Sequence, residues 1–288
     1  MSAAEIKWCV NIPELLGLGD AGIDDVDTDA QGNVYVSDGF NGRVYKFQPD
    51  SVPLDSFFVI KPAPIDTDES SLNIAVAADS TFYLADAGKG RVIRHDEAGT
   101  VTGEFAAPGL LSLCLGAGDE INVLSNSEGI ERINSYDQIG SPLGMLPAPA
   151  RHRAYIDSGL ANLDSDSEGN IYISYGMPPY RIWKVKADGS DMFTWSREMD
   201  FPEDAILIAD IAVDRAAGVL WALLACRQYG RQMLDAFNLQ GDFLGTVEIP
   251  HSEALYSVIC SAGESELYLL DAYVGPGTGN LIRIAVSL

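Results

Sequence analysis

Six times along this chain the same short β-pattern returns, and that repeat limits the fold more than any other feature. DDVDTDAQGNVYVSDGFNGRVYKF (24–47) comes back as LNIAVAADSTFYLADAGKGRVIRH (72–95) and as ANLDSDSEGNIYISYGMPPYRIWKV (161–185). Looser copies start at residues 111, 209 and 257. One column sets the register: Tyr35, Tyr83, Asn122, Tyr172, Trp221 and Tyr268, in steps of 48, 39, 50, 49 and 47 residues. Self-similarity at this period points to stacked or radial units that share one core.

Each copy reads as β. A short alternating strand leads into a turn rich in Gly, Asp, Ser or Asn, then an apolar strand such as NVYVSD, a polar loop and a third strand such as RVYKF. A fourth strand follows in five copies: DSFFVI, VTGEF, PLGML, MFTWS and DFLGTV. Four antiparallel strands per unit of this length describe one propeller blade. The expected fold is therefore all-β, a six-bladed β-propeller in one domain over 1–288. Its blades are expected near 23–61, 70–107, 109–148, 158–200, 207–250 and 255–288. The sixth copy stops after its third strand, and IKWCVNI (6–12) can supply the missing one. Closure by this N-terminal strand would complete the last blade and cover a sheet edge open to aggregation.

The pattern D-x-x-G-N-V-Y-V-S-D-x-x-N-x-R-V resembles the NHL repeat, most fully in the first two copies. The resemblance implies Asp–Arg pairs that fix the loop between strands two and three, here Asp38 with Arg43 and Asp86 with Arg91. Blade 3 has Ser125 and Ile130 at these positions, and blade 4 has Tyr175 before Arg181. More loosely the chain resembles the six-bladed senescence-marker and gluconolactonase propellers, which hold a divalent metal at strand-one starts.

Composition narrows the partners. The chain carries 42 acidic and 18 basic side chains, a formal charge of −24. That field repels nucleic acid and anionic membrane, so neither is an expected partner. No apolar run is long enough to span a bilayer, and residues 1–10 lack a basic, apolar leader, so a cytoplasmic location is expected. Cys9, Cys114, Cys226 and Cys260 have no metal spacing and are expected as buried reduced thiols.

Three groups should share the loop face, where rigid scaffolds carry function. The first is a polar column at the start of the innermost strand: Asp25, Asn73, Ser112, Asn162 and Asp210, broken by Val258 and flanked by Asp24. Oxygen groups converging on one axis suit a hard cation such as Ca2+, and Asp24, Asp25, Asn73, Asn162 and Asp210 are the candidate metal residues. The alternative reading is side-chain to backbone bonding at the strand starts. The second is the loop leading into blade 4, where Arg151, His152, Arg153 and Tyr155 form the densest basic cluster. It could clamp an anion or an acidic partner, or it could be spent on neighbouring carboxylates. The third is a set of arginines and tyrosines on the later blades, including Tyr175, Tyr180, Arg181, Arg227 and Arg231, residue types frequent at interface hot spots. His152 and His251 are the acid–base candidates.

With no nucleophile elbow, phosphate loop or paired-histidine zinc motif, the leading expectation is a non-catalytic binding or scaffold propeller. It would present its loop face to a protein or small ligand. The alternative is a divalent-metal hydrolase or lactonase at the top of the central channel.

Overall fold

The computed structural model describes residues 2–17, 22–48, 57–60, 72–149, 161–176, 181–195, 206–226, 231–249, 258–263, 266–271 and 279–287. The chain opens with strand β1 (Ser2–Asn11) and one short helix, α1 (Ile12–Leu16). Asn11 caps that helix by accepting from the Glu14 amide at 2.9 Å, and Gly17 ends it with φ 62°. Among the described residues every other regular element is a strand. Blade 1 consists of β2 (Ile23–Thr28), β3 (Val34–Asp38), β4 (Arg43–Phe47) and β5 (Phe57–Ile60). Blade 2 runs through β6 (Leu72–Val76), β7 (Phe82–Asp86), β8 (Arg91–His95) and β9 (Val101–Ala106). Blade 3 holds β10 (Leu110–Leu115), β11 (Ile121–Ser127), β12 (Ile130–Tyr136) and β13 (Pro142–Pro147). Blade 4 holds β14 (Ala161–Ser165), β15 (Ile171–Tyr175), β16 (Ile182–Val185) and β17 (Met192–Trp195). Blade 5 contains β18 (Ile206–Asp214), β19 (Val219–Cys226), β20 (Arg231–Asn238) and β21 (Phe243–Glu248). Blade 6 contributes β22 (Val258–Gly263), β23 (Glu266–Leu270) and β24 (Asn280–Val286).

Within each blade successive strands pair antiparallel, and the innermost strands touch in a closed circuit: β2, β6, β10, β14, β18, β22 and back to β2. This is a six-bladed β-propeller. The N-terminal strand closes it as the open sixth copy requires. Ala4 to Asn11 pair antiparallel with Val286 to Asn280, with a bulge between Ile6 and Trp8. The same strand does one thing more. Ser2 and Ala3 pair in parallel with Val247 and Glu248 of β21, so blades 5 and 6 merge into one eight-stranded sheet.

The repeat column is the core of the blades. Tyr35, Tyr83, Asn122, Tyr172, Trp221 and Tyr268 are all buried. The D-x-x-G-N-x-Y signature explains itself in blades 1 and 4. Asp29 accepts from the Gln31 and Asn33 amides, the Asn33 side chain and the Tyr35 hydroxyl, and Asp166 repeats the set with Glu168, Asn170 and Tyr172. Gly32 and Gly169 turn there with φ 76° and 80°, where a Cβ would be strained. Lys46 and Lys184 approach these acids at 3.7 Å while lying over the Tyr35 and Tyr172 rings. The signature is thus a turn lock.

Two expectations need correction. Cys114 and Cys260 are buried free thiols, but Cys9 is exposed, because β1 lies outermost in blade 6 and alternate residues there face solvent. The side chain of Cys226 lies outside the described residues. The loop acid of blade 2 does pair with its arginine, Arg91 Nε to Asp86 at 3.0 Å. In blade 1, however, Asp38 accepts from Asn41 and from the Tyr45 hydroxyl, since that phenol reaches the carboxylate from inside the blade.

Candidate functional site

The innermost strands set two layers of side chains around the ring axis. The upper layer is the column read from the sequence, Asp25, Asn73, Ser112, Asn162, Asp210 and Val258. Two residues further along each strand comes a second layer: Asp27, Ala75, Cys114, Asp164, Ala212 and Cys260. Strand alternation returns every second side chain to the same face, so both layers look toward the axis.

The carboxylates here are joints between blades. Asp25 accepts the Val26 amide with one oxygen and, with the other, the Ile74 amide of blade 2, both at 2.8 Å. Asp27 does the same with Thr28 and Val76, at 2.7 Å each. Asp164 holds Ser165 and, in blade 5, Val213. Asp210 holds Ile211 and, in blade 6, Ile259. In all four cases the partner lies 49 residues ahead. Asp24 reaches Gly39 in its own blade and Leu72 in blade 2. Asn162 inverts the polarity, donating its amide to the Ala209 carbonyl of blade 5 at 2.9 Å. The side-chain to backbone bonding expected at the strand starts is present: one oxygen of each of the four carboxylates takes the next residue's amide, and the other extends the bonding to the neighbouring blade.

Burial dominates the electrostatics. It raises Asp24 and Asp25 to about 7 and Asp27 to about 6, against the pull of the peptide amides that each accepts. Asp210 stands well above the ordinary carboxylate range because of burial and then the charge of Asp25. Asp164 is raised by burial, with Arg215 opposing. That arginine ties three blades at the far end of the innermost strands. Its guanidinium donates to the Ser165 carbonyl, to Ser165 Oγ and to the Leu115 carbonyl, at 3.1, 2.8 and 2.6 Å. Across the last joint Cys260 Sγ lies 3.5 Å from Asp27.

Asp24, Asp25 and Asp27 are thereby brought into the range a general acid–base needs. Their partners, however, are peptide amides, an amide side chain and a thiol. As a cation cage the set fits poorly. Each oxygen of Asp25, Asp27, Asp164 and Asp210 already accepts a peptide amide, and among the described residues no three acids, histidines or cysteines are grouped to hold a metal.

The other candidates fall differently. Arg151, His152, Arg153, Tyr155, Tyr180, Arg227 and His251 lie outside the described residues, and Arg231 is placed only as the first residue of β20. Arg181 is exposed just before β16. Tyr175 is not a surface residue. It is 8% exposed, with its hydroxyl on the Glu131 carboxylate of blade 3 and 3.0 Å from the Pro149 carbonyl. This contact links blades 3 and 4. His95 sits buried against Phe82, ring centroids 4.7 Å apart, and burial lowers it to about 4.

No family model matches the chain, and no curated protein matches it; the resemblance to the NHL repeat therefore rests on the motif alone. Many solved structures share the fold. The PQQ-bound aldose sugar dehydrogenase from Streptomyces coelicolor superposes with TM-score 0.66 at 14% identity, over 100% of this chain and 99% of that one. The catalytically inactive virginiamycin B lyase from Staphylococcus aureus with quinupristin gives 0.64 at 11%, over 98% and 99%. A gluconolactonase from Xanthomonas campestris gives 0.61 at 16%, over 93% and 86%. At these identities the likeness establishes the propeller. Among the described residues no helix is long and apolar enough to cross a membrane.

Proposed function

We propose that the chain is a non-catalytic binding propeller that presents its loop face, with the Arg151–Arg153 segment, to a protein or small ligand. One observation carries this reading: the strand-start carboxylates, which would have to form a metal site, are spent as inter-blade clamps. Withdrawing one of them to hold an ion would strip two peptide amides of their acceptor, at about 1–3 kcal/mol for each group left unsatisfied in a buried wall. The second reading is a divalent-metal hydrolase, and it draws on the convergence of acids at the axis and on the enzymes among the fold neighbours. Melting the purified protein with a chelator and then with added calcium separates the two. An ion bound only by the folded state raises the melting temperature by mass action. The binding reading expects coincident transitions and no stoichiometric metal by elemental analysis. A calcium-dependent rise that is lost in Asp210→Asn would replace it with the metal reading.

A further inference from the structure

One residue after the upper axial layer, the six innermost strands carry an equivalent set of peptide amides: Val26, Ile74, Leu113, Leu163, Ile211 and Ile259. The register is the same in each blade, with Val26 opposite Val36, Leu113 opposite Val123 and Leu163 opposite Ile173. In an antiparallel pair the N–H groups of one strand alternate between facing the partner and facing away, and these face away from strand two, toward the channel. A single carboxylate serves two of them. Asp25 takes Val26 and Ile74, and Asp210 takes Ile211 and Ile259. With clamps in blades 1 and 5, the remaining pair, Leu113 and Leu163, falls to blade 3.

Blade 3 has the local build of a clamp blade. The pairing of strands one and two shifts register between Ile23 and Asp25, between Leu110 and Ser112, and between Ile208 and Asp210. The pairings of β6 and β14 with their second strands show no such shift. A bulge re-aims the side chain beside it, and in blade 3 that side chain is Ser112, which has no carboxylate. Ser112 is 5% exposed, and among the described residues its hydroxyl has no hydrogen-bond partner. No side chain among them accepts the Leu113 or the Leu163 amide either. Asn73 is drawn to Asp25, and Asn162 donates to Ser174 and to the Ala209 carbonyl. The lower layer leaves no such pair. Asp27 and Asp164 serve four amides there, and the two they do not serve, Leu115 and Ser261, lie in opposite blades.

We propose that the upper channel at the joint of blades 3 and 4 binds the carboxylate of a small organic acid, which takes the place of the clamp that blades 1 and 5 carry covalently. Its two oxygens accept from the Leu113 and Leu163 amides, and the Ser112 hydroxyl donates to one of them. Hydrogen bonds to an ionised acceptor are the strong kind, and a buried donor without an acceptor is costly. The groups that await a partner here are all donors, so a metal cation is the wrong occupant. A neutral amide offers one acceptor oxygen where two are wanted. The axial carboxylates oppose a further negative charge, and Arg215 offsets them from below. Its guanidinium bonds to the Leu115 and Ser165 carbonyls of the same two strands. The inference goes beyond the loop-face reading and does not depend on it.

The test titrates the full chain, labelled at leucine amide nitrogen, with sodium acetate while chloride holds the ionic strength constant. Amide spectra are the readout, with Leu113→Ile and Leu163→Ile assigning the two signals. Both signals should move downfield and saturate, and acetamide should leave them in place. Ser112→Asp supplies the third clamp. It should raise the melting temperature without any ligand and weaken the acetate response at least about tenfold. Signals unmoved by acetate, an equal shift with acetamide, or a full acetate response in Ser112→Asp would each overturn the proposal. Should Ser112→Asp lose its fold by circular dichroism, Ser112→Val removes the hydroxyl and crowds the two amides, and the acetate response should disappear in it.

Discussion

The joint between blades 1 and 2 and the joint between blades 2 and 3 come from the same repeat, yet they hold by different means. Both contain apolar packing: Tyr35, Leu72, Ile74 and Phe82 at the first, Tyr83, Val92, Leu113 and Val123 at the second. At the first joint Asp24, Asp25 and Asp27 also take up amides of blade 2. At the second, the corresponding positions on β6 are Asn73 and Ala75, and Ala75 packs in the apolar cluster. A carboxylate clamp gives direction and register, but it places charge where water is scarce. An apolar joint gives neither, and it is indifferent to pH.

That contrast can be broken by substitution. Leu113→Ala should have the largest effect, about 2–5 kcal/mol of lost stability, since it opens a cavity in packed core. Denaturant titration should find this loss the same at pH 5 and pH 8. Asp25→Ala should cost less, about 1–3 kcal/mol, because two amides lose their acceptor while Asp27 and Asp210 lose a repulsive neighbour. Here the cost should depend on pH. An equal loss at both pH values would mean that Asp25 works by shape and not by charge.

The smallest effect is the pH dependence itself. Asp24, Asp25 and Asp27 bind protons more tightly in the fold than in the unfolded chain, where a carboxyl titrates near 3.9. Their contribution is complete below about pH 4 and is lost as pH rises through about 6 to 7. The melting temperature should fall from pH 5 to pH 8 by a few degrees, at about 2–4 °C per kcal/mol. Asp25→Asn/Asp27→Asn should flatten that slope, and Leu113→Ala should merely displace it. Two groups of residues act in the other direction. Buried neutral His95 loses its contribution as pH falls from about 6.5 toward 4. Asp29 is buried but pulled down by Asn33, Ser80 and Lys46, and its contribution disappears only in stronger acid. A melting temperature rising steadily from pH 5 to pH 8 would contradict the assignment of protons to the axis.

Much of this was legible in the residues. The period of the repeat gave the blade count, the register column gave the core, and the unfinished sixth copy gave the closing strand. The upper axial layer was legible as Asp25, Asn73, Asn162 and Asp210. The lower layer with Asp27 and Asp164 was missed, although stepping two residues along the same strands would have found it. Which amide each carboxylate takes was not legible, because the partner is fixed by the stagger between neighbouring innermost strands. The Tyr175–Glu131 link was hidden for a similar reason, as nothing local announces a partner in another blade. The functional reading of the Arg151–Arg153 segment remains a matter of residue type and position.

The double role of β1 also bears on the order of folding events. Asn11 and Asn280 share a side-chain hydrogen bond across 269 residues, close to the longest separation this chain allows. Such contacts repay their loop-closure entropy only after most of the ring is in place. Blades 2 to 4 can form from local hairpins, whereas β21 and β24 keep unpaired edges until the first ten residues return to them. During synthesis, then, the segment that leaves the ribosome early is among the last to dock, and the apolar face of blade 6 is exposed in the interval. Refolding should show its slow, concentration-sensitive phase at this seam and not within any single blade.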